Sequence, residues 1–161
     1  MASILDHCEG AELREFGAGS VLISQGTTSG QVFVLVEGRV VILRDDTEVA
    51  AVDEAGAIFG EMSVLLGVPH TATVRTTSPV KAYAFGHAEE FLQSHPAIAF
   101  HLAKLLAQRL NAATTYLVDL KRQFEGHRDH LGMVGDILES LMHQQDEEFT
   151  PVRERPADPR L

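Results

Sequence analysis

The chain is short of cysteine, of positive charge and of long apolar runs, and each shortage removes a class of protein. A single cysteine, Cys8, cannot form an internal disulfide and rules out a four-cysteine iron–sulfur site. Cys8 reads as a small packing residue, and a lone thiol suits the cytosol. Basic residues number 13 against 23 acidic, for a net charge of −10. Residues 1–96 carry 5 basic and 13 acidic side chains, residues 97–145 carry 5 of each, and the remainder 3 and 5. DNA binding draws most of its affinity from basic side chains on phosphates, so this surface is wrong for it. No apolar run approaches the roughly 20 residues of a membrane span. The opening MASILDHCEG lacks the basic-then-apolar pattern of a signal peptide, so a cytoplasmic protein is expected. No paired carboxylates, nucleophile–base combination or metal signature gathers in one segment. His70 beside Thr71 lacks the third group that would orient a base, and His127 with His130 reads as a solvated pair. The expectation is a binding module without enzymatic activity, cofactor or metal.

What remains is substantial. A chain of 161 residues fits one domain plus an appendage and can bury roughly 70% of its unfolded surface. Hydrophobic content of 45% and a mean hydropathy of +0.01 describe a folded chain. Residues 3–15 read as a short helix or two turns, with Ser3 as N-cap. From Phe16 to Phe85 the texture is short β-runs punctuated by turns: 20–24, 32–36, 40–43, 48–52, 71–74 and 80–85. Strands 32–36 and 40–43 join across Glu37-Gly38-Arg39, and Asp45-Asp46-Thr47 makes another turn. Such spacing indicates a sandwich or barrel of the jelly-roll kind. The fold class is therefore α+β: a mainly-β jelly-roll barrel at about 16–85, with flanking helices and a long C-terminal helix.

After Phe85 the period turns helical. Residues 89–94 form a short helix, and Pro96 opens a longer one at the position where proline is best tolerated. Along it Leu106, Leu110, Ala113, Leu117, Leu120 and Phe124 alternate spacings of four and three, an a/d seam that predicts a parallel homodimer. Ile98, Leu102 and Leu105 face their own domain. The organisation expected is a domain at 1–125, an extra helix at 126–145 that extends the dimer or folds back, and a disordered tail at 146–161.

One cassette, FGEMSVLLGVPHTATV from Phe59 to Val74, carries the functional signal. Gly60 lets backbone approach a ligand, Glu61 offers a carboxylate to a sugar hydroxyl, and Met62 to Leu66 read as one helical turn whose amides favour an anion. Together they suggest a phosphate-and-sugar site.

With the cassette, the opening FGAGSVLISQGTTSGQVFVLVEGRVVIL and the hinge FLQSHPAIAFHLAKLLAQRL follow in order, and the chain from about Phe16 to Phe124 resembles the cyclic nucleotide-binding domain family. That family includes catabolite activator-type regulators, protein kinase A regulatory subunits and cyclic nucleotide-gated channels. The resemblance implies a cyclic AMP or cyclic GMP ligand. It implies that Glu61 accepts from the ribose 2′-hydroxyl, that Gly60 and the amides of Met62 and Ser63 line the phosphate, and that Thr71 and neighbouring Ala72 meet the cyclic phosphate. Thr114, or Thr115, would approach the purine, and Thr73 and Val74 would lie beneath the site. It also implies that the hinge at 91–99 moves the long helix and passes the signal to an unidentified effector protein.

His70 departs from the family pattern, which places a phosphate-clamping arginine after the cassette proline. Histidine cannot form arginine's two-pronged fork. A lost charge-assisted bond weakens binding by about 10- to 150-fold. Arg75 is the only other cationic side chain between Arg44 and Lys81. Two readings stay open: a pocket with His70 as a weaker phosphate contact, its affinity rising below the histidine pKa of roughly 6.5, or a degenerate fold that only dimerises or docks a protein. The residues after Phe124 read as one helix and a tail with no basic recognition helix, so no DNA-binding partner is expected.

Overall fold

The structure, a computed structural model, describes residues 3–124 and 128–143. The expected break at Gly126, His127 and the tail from residue 144 lie outside the described residues. Two compact units divide the chain, the first ending at Lys104 and the second beginning at Leu105.

The first unit opens with a 3-10 turn, Ile4–His7, capped as expected by Ser3, whose hydroxyl accepts from the Leu5 amide while Asp6 bonds back to the Ser3 amide. Eight strands follow: β1 Glu12–Phe16, β2 Val21–Ile23, β3 Val32–Glu37, β4 Val40–Arg44, β5 Thr47–Val52, β6 Ile58–Phe59, β7 Thr73–Thr76 and β8 Val80–Phe85. Helix α1, Glu61–Leu66, interrupts them between β6 and β7. Two four-stranded sheets result, ordered β1-β8-β3-β6 and β2-β7-β4-β5, with antiparallel pairing throughout. This is the expected jelly roll. Between the sheets Ile23, Phe33, Leu35, Val40, Phe59, Val74, Val80 and Ala82 form the core. Each large aliphatic there contributes roughly 1.5–3 kcal/mol by leaving water.

The tight connection between β3 and β4 at Glu37-Gly38-Arg39 is as expected, with Gly38 at φ +102°, and the two strands lie in different sheets. This link carries the chain from one sheet to the other, and a Cβ on Gly38 would strike the Pro79 carbonyl oxygen. Two local expectations need correction. Residues 12–16 are strand β1, not helix; Glu12 to Phe16 pair with Ala84 to Val80. Its polar sequence ELREF leaves Leu13 48% exposed at a sheet edge, so no apolar alternation marks it. The other is β7, which begins at Thr73, not Thr71. Its ladder starts with Thr73 against Leu43, because the His70 backbone is already bonded elsewhere.

Helix α2, Ala88–Ser94, closes the barrel, and α3, Pro96–Gln123, begins in the first unit, where Ile98 and Leu102 are buried. In the second unit α3 continues and α4 spans Arg128–His143. Along α3, Leu106, Leu117 and Leu120 are half-buried, while Leu110, Ala113 and Phe124 are exposed. Among the described residues no helix is long and apolar enough to cross a membrane.

Candidate functional site

The cassette begins at a glycine the chain needs. Gly60 ends β6 and opens α1 with φ +91°, a region that side chains rarely adopt. A Cβ there would lie 2.5 Å from the Gln31 carbonyl oxygen, 3.0 Å from Ile23 Cδ1 and 3.4 Å from His70 Cε1. The bare backbone therefore packs against the loop before β3 and touches residue 70 at the far end of the cassette. Glu61 follows at 4% exposure, an acid enclosed in the first turn of α1.

The turn after α1 is closed by Ser63 and Gly67. Gly67 is left-handed, and its amide donates to the Ser63 carbonyl. Ser63 is buried, its hydroxyl donates to the Val68 carbonyl at 2.5 Å, and the Val68 amide donates back to Ser63 at 3.2 Å. The Ser63 hydroxyl proton is thus committed to the turn. Met62 points outward, 47% exposed.

Position 70 is built inward. The His70 ring is 4% exposed, and its Nε2 lies 2.7 Å from Ser29 Oγ. The His70 amide donates to the Thr27 carbonyl at 2.8 Å, and the His70 carbonyl accepts from the Gly26 amide at 2.8 Å. Three bonds therefore knit this residue to the loop between β2 and β3. Burial pushes its pKa below the ordinary 6.5, so the ring is neutral at neutral pH. Any rise in anion affinity on acidification is displaced below that value. Thr71 is exposed and Ala72 half-buried in the bend before β7. Thr73 accepts from the Gln25 amide at 3.0 Å through its hydroxyl, and Val74 is core.

Gly60, Glu61, Ser63 and His70 are thus gathered in one unit, together with Met62, Thr71 and Ala72 on the same cassette. Thr114 is half-buried on α3 in the second unit, and the exposed Thr115 donates to the Asn111 carbonyl at 2.9 Å. Arg75 is exposed on β7, paired with Val21 and Val41. Sequence reasoning missed Ser29 and Gln31, whose loop reads only as polar turn residues; nothing in their order signals that they pack on the cassette. The same loop reaches the hinge, where the Ala88 amide at the head of α2 donates to the Gly30 carbonyl at 3.3 Å. There Phe91 lies 4.2 Å from Phe85 and 4.1 Å from the stacked His95 ring, centroid to centroid. Among the described residues no cluster of three metal-ligating side chains exists.

The family model described as "Cyclic nucleotide-binding domain" matches residues 13–94, just over half of the chain and every element of the cassette. The chain belongs to the cyclic nucleotide-binding domain family. This cyclic nucleotide-binding domain is 32% identical over 111 residues to a cyclic nucleotide-gated potassium channel of Rhizobium etli, covering 67% of this chain and 30% of the channel. It is 31% identical over 71 residues to cGMP-dependent protein kinase 2 of Homo sapiens, covering 44% of this chain and 9% of the kinase. The domain therefore spans less than a third of the length of these curated relatives. Among solved structures, the catabolite activator protein of Thermus thermophilus matches with a TM-score of 0.63 at 23% identity, over 73% of this chain and 58% of that one, a likeness of fold.

Proposed function

We propose that the domain is a sensor module that binds cyclic AMP or cyclic GMP in its cassette and signals through a dimerising α3 to a partner protein. Glu61 accepts from the ribose 2′-hydroxyl. Gly60 and the amides of Met62 and Ser63 line the phosphate, which His70, Thr71 and Ala72 meet from the other side, and Thr114 approaches the purine. The observation that carries this reading is the closure of the cassette on itself. The Gly60 backbone lies against the His70 ring, and the enclosed Glu61 carboxylate follows directly. A carboxylate in that position can accept from a ribose hydroxyl. Leu106, Leu110, Ala113, Leu117, Leu120 and Phe124 supply the seam between two copies.

A second reading has one observation in its favour. The His70 ring is buried and bonded to Ser29, which is how a residue retained for packing behaves. On that reading the domain only dimerises or docks a protein. Calorimetry on the wild type and on Glu61→Gln separates the two. Binding of either nucleotide, weakened by about 10-fold or more in Glu61→Gln, supports the sensor. Silence from the folded wild type at millimolar nucleotide supports the docking module.

A further inference from the structure

We propose that Ser29 is a positioning residue that holds His70 in the tautomer protonated at Nδ1, so that the ring offers a neutral N–H donor to the bound anion. The ligand half of this inference rests on the nucleotide reading above; the tautomer half does not.

In this proposal the Ser29 hydroxyl is the donor and the ring the acceptor. Its oxygen accepts from the Gln31 amide at 3.3 Å and sits 2.7 Å from His70 Nε2. A separation of about 2.7 Å is the usual length for a hydroxyl donor and the short end of the range for a ring N–H donor. A serine hydroxyl has one proton to give and two lone pairs. Accepting from Gln31 and donating to Nε2 forms a chain in which each bond polarises the next. With Nε2 as acceptor, a neutral imidazole must carry its proton on Nδ1.

With Nε2 engaged by Ser29, Nδ1 is the ring nitrogen left to donate to a ligand. Cε1, which lies between the two ring nitrogens, faces Gly60 across 3.4 Å from the site of a Cβ, so the ring borders the turn that leads into Glu61. Burial, which disfavours the imidazolium, acts in the same direction. The anion would be met here by one oriented neutral donor in place of a cation.

Long-range proton–nitrogen NMR of the ring tests the tautomer, with His70→Gln assigning the signals. Protonated Nδ1 and bare Nε2 in wild type, lost in Ser29→Ala and kept in Ser29→Thr, is the expected result. Calorimetry with cyclic AMP and cyclic GMP tests the consequence. Ser29→Ala should weaken binding about 5- to 10-fold, Ser29→Thr should restore it, and Ser29→Ala should have no effect in a His70→Gln background. A wild-type ring protonated at Nε2, or Ser29→Ala affinity equal to wild type, overturns the proposal. Failure of wild type to bind either nucleotide overturns the nucleotide reading and the ligand half with it, while the NMR result still decides the tautomer.

Discussion

Substituting Gly60 by alanine should damage both stability and the site, and a second glycine in the same cassette supplies the control. Gly60 has φ +91° and Gly67 φ +64°, so an alanine at either must hold a left-handed backbone. That conformation costs an L residue roughly 1–2 kcal/mol. Around a Cβ at Gly67 nothing lies within 4 Å, whereas at Gly60 it would meet the Gln31 carbonyl oxygen at 2.5 Å and Ile23 Cδ1 at 3.0 Å. The first of these is backbone, so relief requires moving the loop before β3 or the start of α1. Overfilling of this kind costs about 1–3 kcal/mol beyond the conformational term. Gly60→Ala should therefore be less stable than Gly67→Ala by about that margin, or about 2–12 °C in Tm at the roughly 2–4 °C per kcal/mol usual for a chain of this size. Urea and thermal unfolding followed by circular dichroism provide the assay. Equal stability of the two variants, within about 0.5 kcal/mol, would refute the close approach at Gly60.

Other outcomes follow from the same geometry. Because burial lowers the His70 pKa, the unfolded chain takes up a proton near 6.5 before the folded one does. The histidine's contribution to stability is therefore complete above that pH and is lost as the pH falls through the lower folded value. Unfolding free energies at pH 5 and pH 7.5 should differ less in His70→Gln than in wild type; an unchanged difference would rule the linkage out. Sedimentation at micromolar concentration should give a dimer in wild type, and Leu117→Glu, on the half-buried seam of α3, should give a monomer of normal secondary structure. A monomeric wild type would remove the seam's proposed role.

Much of the barrel was legible because its signals are local. The runs at 32–36, 40–43 and 80–85 are apolar and bounded by turn residues, and they became β3, β4 and β8 with shifts of a residue or so at their ends. Pro96 marked the start of α3 for the same reason, its fixed φ suiting a first helical turn. Strand β1 was illegible: ELREF shows no alternation because one edge of its sheet is solvated, and pairing with β8 decides it. The cassette's glycine and acid could be read from their order in the chain. The environment of position 70 could not. Whether a histidine there faces solvent or packs inward depends on Thr27 and Ser29, more than forty positions earlier, through bonds that only folding brings together. Local pattern found the cassette, and tertiary contact determined what its residue 70 does.

The central claim is that the cassette remains a nucleotide site whose phosphate contact at position 70 is weaker than the family's arginine. Calorimetric titration of wild type and His70→Arg with cyclic AMP and cyclic GMP tests it most directly. The account predicts measurable binding by the wild type and a gain of about 10-fold or more in the arginine variant, as a charge-assisted, two-pronged contact replaces a single neutral one. Two folded proteins that both fail to bind either nucleotide would contradict it.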